Sequence, residues 1–228
     1  MVKLLGICGS PRVGATEYAL REALVEAEKI PGIATDFWTV HQKKISPCLH
    51  CDRCIREKSM CFIQDDYQEL EQKLLEADGY IIASPVYDMG ITAQLTACFN
   101  RNRPSYLVHP GAYKNKVGGG IAVGGTCHGG QETALSIIGN FFLMNEILVT
   151  GGIGGCYNGG TVWSQDRKSE GAADDIVGMG TVRGVGRAVA QAAWLLKKGQ
   201  AAWDELDMDQ KAGRSGVVED HAMFEREE

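Results

Sequence analysis

The chain has 228 residues, 44% of them hydrophobic, and a formal net charge of −6; that is enough apolar material for one large core and too much for a disordered or fibrous protein. No apolar run reaches the roughly 18 residues of a bilayer span, the opening segment breaks at Gly9-Ser10-Pro11 without a small-residue cleavage site, and the acidic balance offers no field for a nucleic-acid backbone. A cytoplasmic protein with no membrane or nucleic-acid partner is expected.

Residues 3–8 are a short apolar run closed by a turn, the pattern of a buried strand. Over residues 16–29, Ala19, Leu20, Ala23, Leu24 and Ala27 recur at helical spacing, and residues 33–40 are β-branched and aromatic enough for a second strand. The cysteine segment that follows is too compact and polar for a core element and is read as an insertion at residues 47–62. Asp65 and Asp66 open a helix with Tyr67, Leu70, Leu74 and Leu75 on one face. Residues 79–84 form a third strand and residues 92–100 a helix, at whose end Arg101 and Arg103 are expected to satisfy the last carbonyls. Residues 116–123 form a fourth strand, 131–144 a helix and 146–150 a fifth, short strand. A long glycine-bearing loop then leads to a last helix over about residues 184–198. This alternation predicts a parallel sheet covered on both faces, and five strands fit the doubly wound, flavodoxin-like order 2-1-3-4-5. Residues 1–200 form one α/β domain on this reading, and residues 201–228 a C-terminal extension that is mobile or ordered by a neighbouring chain.

In such a sheet ligands bind beyond the carboxyl ends of the strands at the switch point, which selects the loops 9–16, 84–90 and 124–130. Ser10, Arg12, Gly14, Ala15 and Thr16 can converge N–H and hydroxyl donors on a phosphate; the plainer reading is a tight turn with Thr16 as an N-cap. The loop matches neither the dinucleotide fingerprint nor a P-loop, which favours a mononucleotide over NAD or ATP. Pro85, Val86, Tyr87, Met89 and Gly90, with Gly124, Gly125 and Thr126, can offer backbone N–H groups and an apolar wall to a flat heteroaromatic ring. Tyr87 is otherwise a packed core aromatic. His128 is either a donor to a ring oxygen or a solvated loop residue.

Glycine, with 29 residues, and cysteine, with 8, are the compositional outliers. Cys48, Cys51 and Cys54 stand three apart and Cys61 follows after six intervening residues. In a reducing compartment such crowding points to metal or redox chemistry before disulfides. Three thiolates at this spacing can wrap one face of a cubane and a fourth can close it, whereas zinc sites commonly place two CxxC pairs on separate arms. A [4Fe–4S] cluster on these four residues is expected ahead of zinc or of free or disulfide-bonded thiols. Cys8 and Cys98 fall on core elements as small hydrophobes, Cys127 lies inside the third loop, and Cys156 stands apart. His50 is expected to hydrogen-bond near a sulfur or to shape solvent access rather than to ligate.

Gly9-Ser10-Pro11-Arg12, the cysteine run between Pro47 and Asp65-Asp66, Ser84-Pro85-Val86-Tyr87 and, more weakly, Gly124-Gly125-Thr126 resemble the iron–sulfur flavoprotein family, a branch of the flavodoxin-like, NADPH-dependent FMN reductase group. The resemblance covers about residues 1–160. It implies one FMN and one [4Fe–4S] cluster per chain, with Cys48, Cys51, Cys54 and Cys61 as ligands and Ser10, Arg12, Thr16, Pro85, Val86, Tyr87, Gly125 and Thr126 against FMN. It also implies a homodimer or homotetramer in which cluster and flavin lie close across a subunit contact. Ala15, Asp88-Met89, Thr96 and Asn100 depart from the family's usual residues. The expected function is electron transfer between a ferredoxin-like donor or NAD(P)H and an acceptor, with no catalytic acid or base required. The alternatives are a substrate-specific FMN-dependent oxidoreductase acting on a small organic molecule, with residues 151–186 shaping its pocket, and a zinc-stabilised, non-enzymatic interaction module.

Overall fold

Four strands whose central members read as unbroken apolar runs dominate the computed structural model, which describes residues 1–151 and 155–206. The strands β1 (Val2–Cys8), β2 (Ile33–Thr39), β3 (Gly79–Pro85) and β4 (Val117–Gly124) are joined in parallel in the order β2-β1-β3-β4. Strands β1, β3 and β4 are buried almost end to end, as parallel strands covered on both faces must be. The fifth position beside β4 is filled by two short strands. β5 (Leu148–Val149) pairs with Val117 and Gly118, and β6 (Gly160–Trp163) pairs with residues 121–124 farther along the same edge. The expected order 2-1-3-4-5 holds, with the fifth strand divided.

Side chains alternate across the sheet. Leu4, Ile81 and Val117 enter the core beneath α1 (Ala15–Glu28) and α8 (Ile176–Asp204), while Leu5, Ile7, Tyr80 and Ile82 enter the one beneath α3 (Tyr67–Glu76), α4 (Ala93–Arg101) and α6 (Gln131–Met144). Glycines in β4 permit this sandwich. A Cβ at Gly118 would lie 2.6 Å from the Phe142 ring of α6, and one at Gly119 would lie 2.7 Å from Val185 and Val189 of α8. Both helices therefore sit directly on the strand backbone.

The helical face predicted in the first helix is buried as Ala19, Leu20, Ala23, Leu24 and Ala27. Gly14, not Thr16, takes the N-cap position, and Thr16 is buried in the first turn. The largest departure follows β5. In place of one long loop, the chain makes β6, then α7 (Lys168–Asp174), and α8 begins at Ile176, eight residues before the predicted start. Two further short helices, α2 (Arg53–Glu57) inside the cysteine segment and α5 (Arg103–Val108) after α4, were not predicted. Among the described residues no helix is long and apolar enough to cross a membrane. Most of the C-terminal extension, residues 207–228, lies outside the described residues.

Candidate functional site

The carboxyl ends of β1, β3 and β4 open on one cavity of about 110 Å³. After β1, the buried Ser10 hydroxyl donates to Arg12 O at 2.6 Å and accepts from Arg12 N at 3.3 Å, which winds the loop tightly before α1. No side chain caps the first turn of α1, so its leading N–H groups, at the positive end of the helix, are left to a ligand or water. After β3, Tyr87 and Gly90 pair across a two-residue turn, with hydrogen bonds of 3.0 and 2.8 Å between their backbones. Its central residues Asp88 and Met89 both have positive φ, 47° and 67°, as hairpin turns of this length demand but usually satisfy with Asn or Gly. The turn leaves Tyr87 41% exposed at the cavity, so it is not the packed core aromatic of the plainer reading.

After β4, Gln131 is buried and braces the glycine loop, donating to Thr126 O at 2.6 Å and accepting from Gly129 N at 2.8 Å. The other side of this loop is held by the segment after β6. Ser164 N donates to Gly124 O at 2.8 Å and the Trp163 indole to Gly125 O at 2.9 Å.

Of the residues singled out in the sequence, Ser10, Arg12, Gly14, Ala15, Thr16, Pro85, Val86, Tyr87 and Gly125 line this one cavity. Met89 and Gly90 shape the Tyr87 turn instead, with the Met89 side chain lodged against Gly130. Gly124, Thr126 and His128 are not among the lining residues, and Thr126 and His128 face solvent. Val123, Ser164, Asp166 and Lys168 complete the wall. Lys168 lies beside Gly14 of the first loop, and the Asp166 carboxylate fills the space where a Gly125 side chain would stand. The set suits FMN: donors and the cations of Arg12 and Lys168 at the helix start for a phosphate, and Pro85, Val86 and Tyr87 as an apolar wall.

A second, smaller cavity of about 20 Å³ is lined by all four clustered cysteines together with Asp52, Phe62, Arg101, Arg103 and Pro104. Three left-handed residues, His50, Asp52 and Lys58, bend the segment sharply around it, and helix α2 contributes no buried residue. The backbone N–H of His50 donates to Cys48 Sγ at 3.3 Å, while the His50 side chain points to solvent. Burial pushes the Cys54 thiol up; the Arg103 guanidinium opposes this, and charge on Cys48 and Cys61 adds to it. Among the described residues no three His, Cys, Asp or Glu side chains converge on a point that would hold a single metal ion. All four thiols line the cavity, and cysteine thiolates are the donors that an iron–sulfur cluster takes.

The scattered thiols differ. Burial raises Cys8 to about 11 and Cys98 to about 12, which makes them inert packing residues; Cys127 is exposed and Cys156 buried. Arg101 ends α4, but neither its guanidinium nor that of Arg103 is given to the helix's last carbonyls as expected. Arg101 is wholly buried against the two ends of the cysteine segment, and Arg103 pairs with Asp52 at 2.8 Å, off the line of a good hydrogen bond. A depression of about 210 Å³ at the opposite end of β1 holds the Lys73–Asp36 ion pair and is remote from both loops.

A doubly wound sheet of this order, with its ligand slot at the ends of β1, β3 and β4, defines a flavodoxin-like protein. The solved structure of a WrbA-like flavodoxin from Agrobacterium tumefaciens shares this fold, with a TM-score of 0.62 and 16% identity over 86% of this chain and 99% of that one. The profile of the NADPH-dependent FMN reductase family matches residues 2–154. An iron–sulfur flavoprotein of Methanocaldococcus jannaschii is 42% identical over 183 residues, 80% of this chain and 92% of its own. Another, from Archaeoglobus fulgidus, is 42% identical over 196 residues, 86% of this chain and 97% of its own. The chain belongs to the iron–sulfur flavoproteins of the NADPH-dependent FMN reductase family.

Proposed function

We propose that the chain is an electron-transfer oxidoreductase using FMN and a [4Fe–4S] cluster, accepting electrons from a ferredoxin-like carrier or NAD(P)H and handing them to an acceptor. The observation that carries this reading is the division of labour between two cavities: four thiols line one, and an uncapped helix start with cations and an apolar wall forms the other. FMN when bound supplies both one-electron and two-electron chemistry, and the cluster supplies one-electron storage.

Ser10, Arg12, Lys168 and the backbone of Gly14, Ala15 and Thr16 bind the phosphate. Pro85, Val86 and Tyr87 orient the ring, Gly125 lets the main chain approach its edge, and Thr126 and His128 stand at the rim. Cys48, Cys51, Cys54 and Cys61 ligate the cluster, which requires them as thiolates in a reducing, cytoplasmic setting. Beside the flavin slot, sharing Tyr87 with it, runs an open groove of about 900 Å³ that reaches Ile45 and Pro47 at the head of the cysteine segment. In this reading a second copy of the chain covers that groove.

An anaerobic visible spectrum with iron, sulfide and flavin counts is the test. About four irons, four sulfides and one FMN per chain support the reading. A yellow but iron-free protein after reconstitution overturns it, and a colourless, zinc-loaded one without flavin points to an interaction module. A second reading, the oxidoreductase of one small organic substrate, draws support from Ser164, Asp166 and Lys168 in the flavin wall. Selective turnover of an organic oxidant, with poor turnover by ferredoxin, would favour it.

A further inference from the structure

Arg101 carries the end of α4 into the protein, and its side chain has no solvent exposure. A buried guanidinium is costly unless its donors are met. Three of its five N–H donors are: Nη1 donates to Ser46 O at 3.0 Å and Asp65 Oδ2 at 2.8 Å, and Nη2 donates to Ile63 O at 3.0 Å. These partners stand just before Cys48 and just after Cys61, so one side chain ties together the two ends of the cysteine segment. Asp65 completes the closure by accepting the Ser46 N–H at 2.8 Å. Burial raises the Asp65 carboxyl, but the hydrogen bonds from Ser46 N and Arg101 outweigh it and hold the group below its usual range. The Tyr67 ring, 4.9 Å from the guanidinium carbon, packs against the fork.

Of the two donors that remain, one is the second hydrogen of the already engaged Nη2 and the other is the Nε–H. It is buried without a hydrogen-bond partner, on a side chain that lines the cavity of the four cysteines. A donor withdrawn from water and left unmet is costly, and the side-chain acceptors lining this cavity are the four sulfurs and the Asp52 carboxylate, which is already set against Arg103. An N–H to sulfur contact already exists there, from His50 N to Cys48 Sγ. Arg103 is different, being partly exposed and set against Asp52.

We propose that Arg101 is a positioning and tuning residue: its Nε–H donates to a sulfur of the iron–sulfur group held by the four cysteines and raises that group's reduction potential. The inference rests on the reading of those cysteines as cluster ligands and goes beyond it. Hydrogen bonds to cluster sulfurs favour the more electron-rich, reduced state, and the potential follows.

The test compares reconstituted wild-type protein with two variants. Arg101→Lys keeps a charge opposite Asp65 without a donor at the Nε position. The double variant Arg101→Met, Asp65→Asn leaves neither an unpaired buried charge nor a donor. Iron and sulfide are counted first; resonance Raman spectra and an EPR-monitored redox titration follow. The expected result is full iron in Arg101→Lys, a midpoint potential shifted to more negative values in the iron-loaded variants, and iron–sulfur bands that respond to deuterium oxide in the wild type more than in the variants. Loaded variants with the wild-type potential and the wild-type deuterium response overturn the proposal. Iron-free wild-type protein overturns the underlying reading and the proposal together, and the initial count separates that failure from the first.

Discussion

The flavin slot and the cysteine cavity are built on opposite structural terms. The slot stands on the ends of three strands that are buried almost throughout, so its backbone is positioned by the whole core. The cavity stands on a turn-rich segment with a five-residue helix and no buried helical residue, positioned by Arg101, Asp65 and a few backbone carbonyls. One site is prepared by hydrophobic burial and the other by a polar clasp and by whatever its thiols bind. The first should outlast loss of its ligand, and the second should depend on it.

The sharpest way to break this contrast is at the sulfurs. Cys54→Ser and Cys61→Ser should each abolish stable iron and sulfide incorporation while leaving the flavin-to-protein ratio near that of the wild type, as read by metal analysis and released flavin. Equal loss of flavin would show that the two sites are one cooperative unit. Next in size is the core beneath the slot. Phe142→Ala opens the contact with Gly118 of β4 and should cost about 3–5 kcal/mol of stability, measured by urea unfolding of the flavin-free protein.

At the slot itself, Arg12→Ala and Lys168→Ala should each weaken FMN binding by roughly 10- to 100-fold, the range for about 1.5–3 kcal/mol of charged hydrogen bonding, with iron content unchanged. Fluorescence titration with FMN reads the effect, and an unaltered affinity in both would remove the phosphate from this end of the cavity.

A last, pH-linked effect lies behind the clasp. Burial pushes the Glu71 carboxyl up to about 7, against the lowering pull of the Ser105 hydroxyl and Arg101. The folded protein therefore holds this proton more tightly than the unfolded chain. That contribution is complete below the ordinary value of 4.5 and is lost as pH rises through about 7. Glu71→Gln should leave stability near pH 5 little changed and flatten its decline toward pH 8 in denaturant titrations; an unchanged slope would place Glu71 outside this linkage.

The flavin loops were legible because each follows a recognisable buried strand, and topology alone selects the ends of β1 and β3. The cysteines were legible because their spacing is itself a chemical statement. The clasp was not. Arg101 and Asp65 are thirty-six positions apart, and neither periodicity nor spacing links a helix-terminal arginine to a carboxylate in another segment.

The wall beyond β6 escaped for a different reason. A four-residue strand and a seven-residue helix are too short to show a period, and the first turns of α8 carry Gly178 and Gly180, which read as loop. Gly186 is there for contact, since a side chain on it would run into the Ala23 backbone of α1. Helix propensity was overridden by the closeness of two helices. Ser164, Asp166 and Lys168 were missed along with these elements.

The division of the strand beside β4 also bears on how the molecule meets other chains. Two short pieces, two and four residues long, offer a poor template for an incoming backbone, because a continuous ladder cannot be laid along them. β2, seven residues long and partly exposed, is the better template at the other border. Strand-by-strand self-association, were it provoked by heat or mutation, should begin there, and a lysine or proline introduced along β2 would be the place to suppress it.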